Sequence, residues 1–116
     1  MGNPINAIRS ASSWHNVDVT GGTFKLKKGI TNYRITAGSA TNIDVISSDG
    51  SSLEDGRRIR CLVATGSSTI TFRDNQSGTN IALSGLTTAV AALDSIDLQF
   101  SKADGLWIET NTHNIS

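Results

Sequence analysis

The sequence predicts an all-β protein, a jelly-roll-like antiparallel β-sandwich of about eight strands with an extended N-terminal arm. Three observations predict it. Apolar residues recur at every second position in short runs. Glycine-centred turn signals separate those runs at roughly ten-residue spacing. The polar residues are mostly Ser, Thr, Asn and Gly, a composition suited to strands and turns. Charged residues make up only 17% of the 116 residues, so hydroxyls and amides must supply most of the polar surface.

The strands follow in order. "HNVDVT" places Val17 and Val19 on one face, with His15 in the same phase. "GTFKLKKG" sets Phe24 and Leu26 against Lys25 and Lys27, and "TNYRIT" does the same with Tyr33 and Ile35. "IDVIS" (43–47) and "IRCLVA" (59–64) are more continuously apolar and suit central strands. "STITFRD" pairs Ile70 with Phe72, and "TNIALSG" is a short strand. "SIDLQFS" lines up Ile96, Leu98 and Phe100 against Asp97 and Gln99. The stretch "LTTAVAALD" (86–94) is the one helical candidate, but its shortness and its β-branched residues suit a turn or loop equally well. No solenoid period is visible. The chain divides into an arm, residues 1–12, and a single domain, residues 13–116.

Charge and cysteine content narrow the function. Ten basic and ten acidic side chains give a formal net charge of zero. A general nucleic-acid binder needs a cationic surplus to displace counterions, so nucleic acid is not an expected partner. No apolar run nears the ~18 residues of a membrane-spanning helix, so no membrane partner is expected. The start has no apolar core of a secretory signal, and Asn6 stands where a myristoylation signal needs Ser or Thr. Synthesis in the cytoplasm is therefore expected. One cysteine, Cys61, excludes an intramolecular disulfide, and its apolar strand makes it a buried small hydrophobe.

No catalytic, cofactor or metal constellation emerges. His15 and His113 lie at opposite ends of the chain, with no local ligand spacing. There is no "GxSxG" elbow for a nucleophilic serine. "SSDGSSLEDGRR" (47–58) lacks the alternating ligands of a calcium loop and reads as a polar connection, with Glu54 and Asp55 placed to neutralise Arg57 and Arg58. Arg58 with Arg60, and Lys25 with Lys27, share outward faces that suit either solvent or an acidic partner. Trp14, Tyr33 and Trp107 are too few to make a row of carbohydrate platforms.

Trp107 turns on parity. A two-residue Asp104-Gly105 turn pairs Lys102 with Trp107, whereas a four-residue loop pairs Phe100 with Trp107 and Leu98 with Glu109. Either puts Trp107 and Glu109 on the inner face with Phe100; an odd loop or a bulge would turn Trp107 outward. The even count is preferred, which makes Trp107 a packing residue alongside Phe72 and Phe100. Glu109 is then expected at the edge or paired with a base.

Taken in order, Asp55-Gly56 with Ile59, Thr69 to Phe72 with Asp74, Asn80-Ile81 with Leu83, and Trp107 with Glu109 resemble the small β-rich modules of tailed-phage virion proteins. The resemblance spans residues 23–110. It implies a non-enzymatic structural protein, commonly trimeric, without catalytic residues. Spike and fibre subunits usually carry a β-helical or coiled-coil shaft, and none is visible here. A free-standing capsid decoration (cement) protein on the outside of the phage head is therefore expected, clamping neighbouring copies of the major capsid protein. The alternative is a tail-fibre or tail-spike-type module that contacts a host glycan or another tail protein. The arm would dock through Asn3, Pro4, Ile5, Ile8 and Arg9.

Overall fold

The structure is a computed structural model of the chain, and it describes residues 14–48 and 53–114. These residues form eleven strands and, among them, no helix. The strands are β1 (His15–Asp18), β2 (Phe24–Lys25), β3 (Asn32–Thr36), β4 (Thr41–Ile43), β5 (Ile46–Ser47), β6 (Arg58–Val63), β7 (Ile70–Arg73), β8 (Ile81–Ala82), β9 (Thr87–Val90), β10 (Ser95–Ser101) and β11 (Leu106–His113).

The all-β expectation holds, but the sheets are mixed and the arrangement is β-solenoid-like rather than clearly a jelly roll. The chain winds through stacked coils. β1, β3 and β6 lie parallel on one side, β2 and β5 on a second, and β4 and β7 on a third. Side chains stack from coil to coil: His15 on Tyr33 on Cys61, Val17 on Ile35 on Val63, and Ile43 on Phe72. Each coil turns its apolar residues to one shared interior and its polar residues to solvent. The resulting alternation is the one a half-solvated antiparallel strand shows, which is why it suggested antiparallel pairing.

No sequence period betrays the coils because they differ in length. His15 pairs with Tyr33, Phe24 with Ile46, Asn32 with Arg60 and Thr41 with Ile70. Unequal turns change the offset at each face while the interior residues stay in line. One such turn is fixed by Gly22, with φ of 94° and with the carbonyl oxygen of Asn42 only 2.9 Å from where a Cβ would stand. The neighbouring coil therefore excludes any other residue there.

Two segments differ locally from expectation. "IDVIS" is not one central strand. It breaks at Asp44-Val45 into β4 and β5, and Val45 turns out to solvent, because this is a coil corner. "LTTAVAALD" is neither helix nor simple loop. It contains β9, which runs antiparallel to β7, and ends in a tight turn with Leu93 at φ 69°.

The last part of the chain reverses the winding. β9 lies antiparallel on β7 and β10 antiparallel on β6, so the chain retraces the last coil in the opposite direction. β11 then pairs antiparallel with β10 and parallel with β8. The result is a six-stranded sheet in the order β1-β3-β6-β10-β11-β8, with separate sheets β2-β5 and β4-β7-β9. One core serves all of it. Phe24, Tyr33, Phe72 and Trp107 are its largest fully buried members.

Polar groups tie the coils where the ladders are short. The Asn80 side chain donates to the Ile46 carbonyl at 2.7 Å and accepts from the Ile46 amide at 2.8 Å, acting as a strand partner for β5. The Tyr33 hydroxyl accepts from the Lys27 amide and donates to its carbonyl. Arg57 donates to the carbonyls of Lys27 and Ile30.

Candidate functional site

Asn3, Pro4, Ile5, Ile8 and Arg9, the predicted docking residues, lie outside the described residues, as does the whole arm of residues 1–12. Phe72, Phe100 and Trp107 are buried in the core. The hairpin pairs Ser101 with Leu106, leaving a four-residue loop, so Phe100 opposes Trp107 and Leu98 opposes Glu109. The Phe100 and Trp107 rings sit 5.1 Å apart, tilted by 48°. Trp107 is thus a packing residue, and its indole Nε1 is buried with no hydrogen-bond partner among the described residues. Ile108, in the opposite phase, faces solvent.

Glu109 meets hydroxyls, not a base. Its Oε1 accepts from the Ser84 amide at 3.0 Å and from the hydroxyls of Ser84 and Thr88, and its Oε2 accepts from Thr112. Partial burial pushes its carboxyl up, but these hydrogen bonds to the charged form outweigh it and hold the group below the ordinary glutamate value. The site links β11 to the segment entering β9.

The remaining sequence candidates separate in space. His15 packs edge-on against Tyr33, 5.8 Å between ring centres, while His113 contacts the Asn111 side chain. Among the described residues no three His, Cys, Asp or Glu side chains gather as metal ligands. Cys61 is fully buried, and burial pushes its thiol far up, out of the range of a nucleophilic thiolate. Asp55 accepts from the Lys102 amide, and Arg57 is engaged with backbone carbonyls. The neutralising role expected of Glu54 and Asp55 is therefore not where these partners lie.

What the structure does assemble is a polar track on the outer face of the six-stranded sheet. One row runs Asn32, Arg60, Asp97, Asn111 across β3, β6, β10 and β11; the next runs Arg58, Gln99, Ile108. Arg60 and Asp97 form a bidentate pair at 2.8 and 3.0 Å. A register shift between Asp97 and Leu98 leaves Thr110 as the extra residue of a β-bulge, and its hydroxyl donates to the Asp97 carbonyl. Beside the bulge are two adjoining depressions of about 200 and 240 Å³ that share Thr110. The sequence marked Arg58 and Arg60 as co-facial but not their neighbours. Asp97 and Gln99 were legible only as outward positions, because cross-strand register depends on which strands pair.

A third depression, lined by Asn42, Asp44 and Arg73 among others, lies at the coil corner. There Arg73 holds Asp44 through two hydrogen bonds of 2.7 Å, which draw the Asp44 carboxyl below its usual value.

No protein-family model matches the chain, and no curated protein is significantly similar to it in sequence.

Proposed function

We propose that this is a non-enzymatic structural protein of a tailed-phage virion, acting as a capsid decoration protein that docks on the outside of the head as a trimer. The observation that supports this reading is the asymmetry of the two ends of the coil stack. The last coil is covered by β9, β10 and β11. In the first coil, β1 pairs only with β3 and β2 only with β5 among the described residues. Open strand edges are templates for another chain. In sequence, this open coil follows directly on the segment that contains Asn3, Pro4, Ile5, Ile8 and Arg9. A subunit that binds only the assembled shell stabilises it by mass action, and several linked contacts multiply the effect. Adding purified protein to undecorated heads should raise the temperature at which they rupture, and deleting residues 2–12 should abolish the rise. Heads that neither bind the protein nor gain stability would overturn the reading.

A second reading, a tail-spike or tail-fibre-type module, is favoured by the stacked parallel coils. Spike and fibre subunits usually carry a β-helical shaft, and the coil stack is a short arrangement of that kind. Immunogold labelling of virions separates the two: label on the head supports decoration, and label on the tail supports the module.

A further inference from the structure

We propose that the outer-face track across β6, β10 and β11 is a binding site for a carboxylate-bearing oligosaccharide. This deepens the second reading above and rests on it for its biological setting.

The chemistry is set by the groups the two rows bring together. The Arg58 side chain is exposed and has no hydrogen-bond or ion-pair partner among the described residues. Its planar fork can take a carboxylate through two parallel hydrogen bonds. In the same depression stand the Asn32 side chain and the Arg60–Asp97 pair. The pair is half-exposed on its arginine side, 50% against 20% for the aspartate, so guanidinium and carboxylate edges both remain accessible. Together they present donors and acceptors side by side, which is what a vicinal diol requires.

The adjoining depression supplies a different surface. Gln99, whose Nε2 also donates to the Gly56 carbonyl at 3.3 Å, offers its amide there, and Ile108, 39% exposed, offers an apolar patch. Asp55, which accepts from the Lys102 amide, stands at the same depression, so the acidic group of the sugar belongs in the Arg58 depression. A sugar ring has an apolar C–H face and a polar rim, and this pairing matches both. The two depressions meet at Thr110, the bulged residue, and bulges re-aim side chains at such places. A chain of sugars could lay successive residues in the two depressions, with its acidic group on Arg58. An acidic protein surface would use Arg58 but has no need of the Gln99–Ile108 depression.

The test uses the full chain and three probes: tetragalacturonate, 3′-sialyllactose and poly-L-glutamate. Calorimetric titration should show binding of at least one acidic sugar. Arg58→Ala should weaken it about tenfold, the loss of one charge-assisted hydrogen-bonding group. Arg34→Ala, on the same sheet face but outside the track, should leave it unchanged. Ile108→Ser should weaken it without changing its salt dependence. Near-UV circular dichroism of the buried Trp107 checks that each variant is folded. The proposal is overturned if neither sugar binds, if Arg58→Ala leaves affinity unchanged, or if poly-L-glutamate binds as tightly with the same Arg58 dependence. Immunogold label on the tail together with silent sugar titrations would sink this inference and leave the tail-module reading intact. Label on the head alone would sink the tail-module reading, whereas the titrations would still decide the site.

Discussion

The coil half of the molecule, β1 to β8, and the reversing cap, β9 to β11, solve the same problem by different means. In the coils each strand is two to six residues long, and neighbouring strands are parallel. Short parallel ladders leave backbone groups over, and side chains take them: Asn80 serves Ile46, Arg57 serves Lys27 and Ile30, and Thr79 serves Asp44 and Arg73. In the cap, β10 and β11 are seven and eight residues long and pair along nearly their whole length. Away from the Thr110 bulge the β10–β11 backbone satisfies itself, and what this hairpin adds is volume, chiefly Trp107. Coil stability therefore depends on particular polar side chains, and cap stability on apolar packing.

The largest expected effect breaks the cap. Trp107→Ala should cost about 3–5 kcal/mol, because it empties the space of the largest fully buried side chain. Trp107→Phe should cost much less. It leaves a smaller void and removes an indole N–H that has no partner, whose burial alone costs about 1–3 kcal/mol. Urea denaturation of both variants checks this. Equal losses would mean that the indole N–H is satisfied in solution and that packing is not what distinguishes the two.

Asn80 tests the coil side. Asn80→Ala removes two hydrogen bonds and strands both backbone groups of Ile46, and should cost about 2–4 kcal/mol. Asn80→Leu, which fills the space, should recover little of it, since the loss is polar. If Leu restores stability, the coils are held by packing after all and the contrast with the cap fails.

The same contrast explains what could be read in the sequence. Nearly every apolar position assigned to an inner face is buried, from Val19 and Phe24 through Ile96, Leu98 and Phe100, because inward phase depends only on local alternation. The closing hairpin was legible in its preferred facing but not in its register, since a two-residue and a four-residue loop both place Trp107 inside and only the structure selects the four-residue one. The coils were not legible. Parallel neighbours are separated by unequal stretches of chain, and a polar residue such as Asn80 that replaces a strand looks, in sequence, like any other turn residue. The Asp44-Val45 corner was missed for a related reason: an apolar residue at a corner, Val45, mimics the continuous run of a central strand. The outer-face track was half legible. Arg58 and Arg60 were visible as a pair, but their companions Asp97, Gln99 and Thr110 come from strands whose pairing order had to be known first.

Acid should act on both halves, through Glu109 in the cap and Asp44 in the coils. Glu109 and Asp44 both have folded-state values held below the ordinary carboxylate range, Glu109 by its hydroxyl and amide donors against the opposing effect of burial, and Asp44 by Arg73. A lowered folded value means that the stabilisation is fully present above the unfolded value, about 4 for such groups, and is lost as pH falls through the folded one. Denaturation midpoints measured between pH 7 and pH 2 should therefore fall on the acid side. Glu109→Gln should flatten part of that fall, because an amide cannot be protonated there. A midpoint curve for Glu109→Gln that runs parallel to the wild type would show that Ser84, Thr88 and Thr112 do not hold a charged carboxylate, and so do not couple β11 to β9.

The smallest effect belongs to the Arg60–Asp97 pair, which bridges the last parallel strand of the stack and the first strand of the closing hairpin. It is bidentate but its arginine is half in water, so its coupling should be only about 0.2–1 kcal/mol. A double-mutant cycle with Arg60→Ala and Asp97→Ala measures that coupling directly, and raising the salt to about 1 M, where screening acts within about 3 Å, should shrink it. A stability role this slight matters for the contrast. β6 and β10 are already joined by five paired positions, so the ion pair is not needed to hold coil to hairpin. A coupling well above 1 kcal/mol would make Arg60 a coil-type pin like Asn80, placing a polar clamp at the one junction where backbone pairing should suffice. A coupling near zero would leave the exposed pair free of structural duty, which is the condition under which its edges can be spent on a ligand.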